Sequence, residues 1–309
     1  MTTIQVQVPA TTANIGAGFD CLGAALTLYN WFRFTPTDAD AAFFTLAVMG
    51  AEVEAKKLDA TPDNLLYRAF AALYEKIGQP VPNVHIEIDL NVPLSRGLGS
   101  SATAIVGGVV GANVLAGSPL SQTEVMHLAI EIEGHPDNVV PALLGGCQLS
   151  VKHQPDWLIC PWRWNKEVVP VVASPDFELS TEESRKVLPQ QYLLAQAVFN
   201  SSRLGLLSYG LAESNATYLQ AALDDQLHQP YRKKLIQGYD KVQQAAIATG
   251  AYGMVISGAG PTLLALASSE NAQSIADAMA KTWAEFEVKA IARVLEIDHQ
   301  GTQITTEAS

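Results

Sequence analysis

Cysteine is scarce: Cys21, Cys147 and Cys160 are the three among 309 residues, and none stands in a C-x-x-C pair. That excludes a disulfide framework and makes a reducing cytoplasm the expected setting. Long apolar runs are missing too, for no stretch approaches the roughly 18 residues that a membrane span requires. The opening MTTIQVQVPATTANIG has no basic start followed by a continuous apolar segment, so it does not read as a secretory signal. Positive charge is in deficit: 19 Lys and Arg face 31 Asp and Glu, a net charge of −12. Such a chain is a poor general binder of nucleic acid, which relies on many cations to neutralise phosphates. A small anion remains open, with the positive field supplied locally by a helix N-terminus, a metal ion or a few arginines. No Gly-Lys pair occurs, so a Walker A loop is excluded. Internal repeats and low-complexity segments are absent as well.

What is present is the balance of a soluble globular protein, 48% apolar and 16% charged. The stretch from Val84 to Val92 alternates apolar and polar residues, the period of a strand with one buried face. After it, PLSRGLGSSA leads into ATAIVGGVVGANVLAG, a small-residue helix suited to close backbone packing. Thr61 and Pro62 read as the start of a helix carrying Leu65, Leu66, Ala69, Phe70, Leu73 and Ile77 and closed by Gly78. Another helix is expected over Thr123–Glu133. The texture changes around 150–165, where KHQPDWLICPWRWN is followed by the strand-like VVPVVAS. Two domains are therefore expected, 1–160 and 161–309. In the second, helical runs near 189–210 and 230–249 precede YGMVISGAGPTLLALAS, read as strand, glycine turn, strand. The polar tail Gln300–Ser309 is expected to fray. Strands and helices mix without a strict βαβ rhythm, which points to α+β.

The segment Pro93-Leu94-Ser95-Arg96-Gly97-Leu98-Gly99-Ser100-Ser101-Ala102-Thr103 joins the strand to the helix. Such a turn suits phosphate, because the first helical N–H groups lack partners and the dipole adds about half a positive charge. Glycines allow close backbone approach, and serine hydroxyls add donors and a Mg²⁺ ligand. Gly97, Gly99 and Ala102 also fit the dinucleotide pattern G-x-G-x-x-A, although PLSR separates them from the strand and the paired serines play no part in it. A plain helix entry capped by serine is the third reading.

Three spaced motifs decide among these. PLSRGLGSSA resembles the ATP loop of the GHMP kinases, VPATTANIGAGFDCLG at 8–23 resembles their N-terminal signature, and SGAGPT at 257–262 resembles their C-terminal glycine turn. Within the family, P-A-T-x-A-N-x-G-x-G-F-D, the Glu133–Asn138 element EGHPDN, HQPYR at 228–232 and NSSR at 200–203 are similar to the homoserine kinases. The resemblance implies an α+β GHMP kinase fold, with an N-terminal domain like ribosomal protein S5 domain 2 and a ferredoxin-like C-terminal domain. It implies transfer of the ATP γ-phosphoryl to the hydroxyl of L-homoserine in the cytoplasm, on the route to threonine. The rival expectations are another small-molecule GHMP kinase, for mevalonate or a sugar, and a catalytically silent ligand sensor. It allows a homodimer, but no residue marks an interface.

Site residues follow from the same resemblance. ATP is expected on Pro93 to Thr103, with Asn64 at the base and Gly258, Ala259 and Gly260 near the phosphates. Arg96 is expected to be solvated rather than catalytic. Mg²⁺ is expected on Ser101 and Glu131, with Glu133 the alternative ligand and otherwise a solvated helix end. The homoserine carboxylate calls for arginine, whose planar fork bonds both oxygens, and Arg203 and Arg232 are the candidates. The ammonium calls for Asp20, with Asn14 and His135 beside it. Asn138 is expected to position the hydroxyl, and no general base is assigned.

Overall fold

Alternation puts Ile4, Val6 and Val8 on the buried side of β1 (Thr2–Asn14) and Phe32 and Phe34 on that of β2 (Gly18–Pro36). In the computed structural model, which describes residues 2–38, 42–50, 58 and 60–308, seven further elements come next in the first half. These are β3 (Phe44–Gly50), α1 (Leu65–Lys76), β4 (Val84–Leu90), α2 (Ser100–Leu115), α3 (Gln122–Glu133), α4 (Pro136–Leu144) and β5 (Cys147–His153). The hairpin strand β6 (Asp156–Trp162) follows. The second half runs β7 (Val169–Pro175), α5 (Thr181–Lys186), α6 (Leu194–Glu213), α7 (Ala216–Ala222), α8 (Gln229–Arg232) and α9 (Tyr239–Ala248). It ends with β8 (Gly253–Ile256), β9 (Leu263–Ala267), α10 (Ala272–Ala284), β10 (Ala290–Val294) and β11 (Gln303–Ala308).

Two sheets result. The first has the order β11-β1-β2-β4-β3, with β5 on β2 and β6 on β5. Only its β3–β4 pair is parallel among the described pairings. The second has the order β10-β7-β9-β8, antiparallel throughout. With helices between β7 and β8 and between β9 and β10, that is the βαββαβ order of a ferredoxin-like unit. Helices α1 to α4 cover the first sheet over a core that includes Phe32, Phe34, Phe70 and Ile86. Helices α9 and α10 cover the second over Met254, Ile275 and Trp283. A third cluster joins the halves: Ile15, Leu22 and Leu98 meet Leu207, Leu211, Val255 and Leu264. No helix of the described residues is long and apolar enough to cross a membrane.

Three local expectations change. Helix α1 begins at Leu65, not at Thr61-Pro62, because Asn64 is its cap, accepting from the N–H groups of Leu66 and Tyr67. The expected break after residue 160 falls inside β6, which stays with the first sheet. The tail does not fray: β11 pairs with β1 at six positions from Thr2–Ala308 to Gln7–Gln303, so the chain's last strand leaves the second half and returns to the first. The small-residue helix α2 does pack backbone to backbone, for a Cβ on Gly108 would come within 2.5 Å of the Leu66 carbonyl oxygen on α1.

Two features aim at one place. Between β1 and β2, Asn14, Ile15 and Gly16 all have positive φ, and Asp20 follows at φ 58°. For the β-branched Ile15 this conformation is costly, about 1–3 kcal/mol; its side chain is fully buried in the joint core, which holds it there. The second feature is the segment before α2, where Leu98 is also wholly buried in that core.

Candidate active site

The glycine-serine segment is clamped by its carbonyls. Ser95 O accepts from Leu179 N (3.1 Å), Arg96 O from Thr262 N (3.1 Å), Leu98 O from Thr11 N (3.1 Å) and Gly99 O from Thr103 N (2.9 Å). Gly97 O lies 2.6 Å from the Ser257 hydroxyl. Among the described residues, the N–H groups of Gly97 through Ser101 find no protein acceptor. A loop whose oxygens are spent and whose N–H groups are free at a helix start is built to take an anion. The glycines serve this geometry from behind. A Cβ on Gly97 would meet Ser257 O at 2.3 Å, and one on Gly99 would meet Thr11 Oγ1 at 2.0 Å. Gly97 and Gly99 have φ values of 79° and 70°.

A cleft opens in front of this loop. Asn14 and Asp20 line it from the first turn, Glu133, His135, Asp137 and Asn138 from α3 and α4, and Arg185, Arg232 and Gly258 to Gly260 from the second half. Asn14 ties the two halves: its Nδ2 donates to Gly258 O (2.7 Å), and its Oδ1 accepts from Asp20 N (2.9 Å). Asn138 is held by the Thr11 hydroxyl at 2.8 Å. Arg185 grips Asp20 with both terminal nitrogens at 2.9 Å. Arg232, 2% exposed, donates to Ser184 O and Gly258 O, and its guanidinium stacks 5.0 Å from the Phe19 ring. Burial, with the like charge of Arg185 second, pulls it down to about 10, so it is cationic at neutral pH.

The acids divide by environment. Ser101 Oγ donates to Glu133 Oε2 at 2.7 Å. Burial pushes Glu133 above the ordinary carboxylate range, outweighing the Ser101 hydrogen bond and the His135 charge that pull it down. His135 meets Asp137 at 2.6 Å. Burial alone would lower this imidazole, but the bond to Asp137 and its charge carry it upward instead.

A second, more apolar pocket adjoins the loop. It is walled by Phe32, Leu58, Leu65, Ile88 and Leu90, with Asn64, Ser95, Ser100, Ser101 and Thr103 on its polar edge. Among the expected ATP contacts, Leu98 and Ala102 have side chains wholly buried away from both pockets. Pro93 lines neither pocket.

Three expectations are corrected here. Glu131 is exposed and outside the cleft, while Glu133 reaches Ser101. The helical period explains it: Glu133 is i+4 from Ala129 and i+3 from Ile130, both buried, so it shares their face and Glu131 does not. That signal was available in the sequence. Arg203 lies on α6 outside the cleft, stacked on Phe199 at 3.7 Å and bonded to Ser202. The second arginine of the cleft is Arg185, on the short helix that Ser180 and Glu183 open with a capping box. Only the box was readable; nothing local marks Arg185 for Asp20, 165 positions away. Arg96 is not simply solvated: it donates to Pro175 O (2.9 Å), and also to Leu94 O and Asp176 O, fastening the loop to the end of β7.

Residues 64–146 match the GHMP kinases N-terminal domain and residues 203–285 the GHMP kinases C-terminal domain. The chain is 74% identical to a homoserine kinase of a Picosynechococcus species, covering 98% of this chain and 100% of that protein. It is 58% identical to a homoserine kinase of Microchaete diplosiphon, covering 99% of each. Its structure superimposes on the crystal structure of homoserine kinase from Cytophaga hutchinsonii with a TM-score of 0.88 at 30% identity, over 98% of this chain and 97% of that one.

Proposed function

The chain belongs to the GHMP kinase family and, within it, to the homoserine kinases, and from that premise we propose that it transfers the γ-phosphoryl of ATP to the side-chain hydroxyl of L-homoserine, releasing O-phospho-L-homoserine and ADP. The observation that carries this is the charge make-up of the cleft: Asp20 bonded to Arg185, with Arg232 lining the same cleft, beside a loop with unspent N–H groups. Homoserine is a zwitterion, with its ammonium suited to Asp20 and its carboxylate to Arg185 and Arg232. The Asp20–Arg185 pair is partly exposed and therefore weak by itself. A ligand offering both charges exchanges that pair without loss, whereas one carrying a carboxylate alone leaves Asp20 unpartnered. The same reading sets the reaction in the cytoplasm on the route to threonine, and it allows a homodimer.

The remaining roles follow from position. The base of ATP takes the apolar pocket at Asn64, and its phosphates take the N–H groups of Gly97 to Ser101 and the turn Gly258-Ala259-Gly260. Ser101 and Glu133 fit Mg²⁺: both offer hard oxygens, and a carboxylate disfavoured by burial regains its charged form beside a dication. When bound, the ion supplies neutralisation of charge on the transferring phosphate. Asn138, fixed by Thr11, orients the acceptor hydroxyl, while Asn14 and His135 hold the ammonium side. Positioning supplies most of the acceleration in such a reaction. The test is ADP release from MgATP with homoserine, mevalonate and galactose offered in parallel. Turnover is expected with homoserine; turnover confined to mevalonate or galactose, or none with any of the three, overturns the reading.

A further inference from the structure

Two sequence elements, Asn200–Arg203 and His228–Arg232, send only Arg232 into the cleft. Of the others, Asn200, His228 and Gln229 converge on a residue that no motif singled out, Asp225, whose side chain is fully buried. Its Oδ1 accepts from Asn200 Nδ2 (2.6 Å) and Leu227 N (3.0 Å), and its Oδ2 from His228 N (2.9 Å) and Gln229 N (2.7 Å). Four N–H donors thus close on one carboxyl group, which fixes the start of α8, and Arg232 stands at the other end of that helix. The next residue in the chain of contacts is His228, itself fully buried. Its Nε2 donates to Gly16 O at 2.9 Å, and its ring stacks on Phe19 at 5.0 Å. Gly16 ends the left-handed run that begins at Asn14, and Phe19 precedes Asp20.

We propose that Asp225 is a positioning residue for the acceptor substrate, setting at once the helix that carries Arg232 and, through His228, the turn that carries Asp20. The spacing between the cationic and anionic halves of the cleft is then fixed by one buried carboxyl group that never touches the ligand. Asn200 acts on the same point from α6, which gives the NSSR element its function through its first residue rather than its arginine. This role rests on the homoserine reading of the cleft. ATP stands on other elements, the loop at 97–101 and the pocket at Asn64, none of which bonds to Asp225.

The experiment is steady-state kinetics of the full chain with each substrate varied in turn, for wild type, Asp225→Asn, Asn200→Ala and His228→Phe. Asp225→Asn keeps size but turns an NH₂ group on N–H donors. It is expected to raise the homoserine KM by about tenfold or more, with the ATP KM within about twofold of wild type. Asn200→Ala and His228→Phe, the latter keeping a ring against Phe19, move the homoserine KM the same way by less, and they carry the test if Asp225→Asn fails to fold. A fall in kcat with both KM values unchanged, the mark of lost folded enzyme, overturns the role, as does an equal rise in both KM values. A wild type inert toward homoserine sinks the functional reading and this role together; an active wild type with indifferent variants sinks the role alone.

Discussion

At the scale of single residues, the cleft turns on which of two neighbouring glutamates faces inward. Glu133 meets Ser101 and is raised by burial; Glu131 is on the exposed side of the same helix. Glu133→Gln is therefore expected to lower kcat by about 100-fold or more, against less than about twofold for Glu131→Gln, and titration of activity with Mg²⁺ checks the order. The sign with pH follows from the raised value. As pH falls, Glu133 takes up a proton before an ordinary glutamate does, and the proposed Mg²⁺ would have to displace it. If Glu133 holds Mg²⁺ as proposed, the Mg²⁺ concentration for half-maximal rate is expected to rise toward acid pH in the wild type, and that rise to be absent from any residual activity of Glu133→Gln. Stability runs the other way: a carboxyl raised on folding stabilises below its unfolded value and loses this as pH climbs through the folded one. Without metal at neutral pH, Glu133→Gln should melt no lower than wild type. The arginines give a parallel contrast. Arg185→Ala is expected to raise the homoserine KM by tenfold or more, about 1.4 kcal/mol, and Arg203→Ala to leave it nearly unchanged; the reverse order in the same assay returns the carboxylate to Arg203.

At the scale of elements, what was legible is what local periodicity and turn chemistry encode. The alternation of 84–92, the small-residue helix after the loop and the strand-turn-strand at 253–267 all appear as elements. The loop's residue types also announced a helix start with unpartnered N–H groups. Illegible were the reasons for its glycines, because these lie across the chain: Gly97 is pressed on Ser257 and Gly99 on Thr11. A Cβ at Gly97 meets backbone at 2.3 Å and sits at φ 79°, so neither neighbour can yield without moving the turn at 257–260. Gly97→Ala is expected to destabilise by about 2–3 kcal/mol and to raise the ATP KM more than the homoserine KM. Gly205, on α6 with open space where its Cβ would go, provides the comparison. Gly205→Ala should be neutral or stabilising by about 0.5–1 kcal/mol, as thermal denaturation of the two variants would establish.

At the scale of the whole molecule, the sequence divides cleanly where the structure does not. Composition places a seam near residue 160, yet pairing is a contact between distant segments and leaves no mark in a local window. Thus Arg185 reaches Asp20, Asp225 joins Asn200 on α6 to the start of α8, and a polar tail that reads as frayed becomes a strand. That strand has a strap leading into it. Leu26 bridges Ile297, Tyr29 donates to Asp298, and Asp298 in turn accepts from Gln300 N and Gly301 N. The halves share the core around Ile15, Leu98, Leu207 and Val255, and the last strand of the chain closes on the first. Neither half keeps its buried surface once the other unfolds, so calorimetry should find one cooperative transition rather than two. Removal of residues 303–309 leaves the outer edge of β1 without its partner and exposes unpaired backbone groups to other chains. The truncated chain is expected to melt roughly 5 °C lower and to aggregate more readily, again in one transition. Its kcat and both KM values should stay within about twofold of wild type, because no residue of β11 lines either pocket. Two resolved transitions in the intact chain would mean that the halves fold independently and that the joint core contributes little to either.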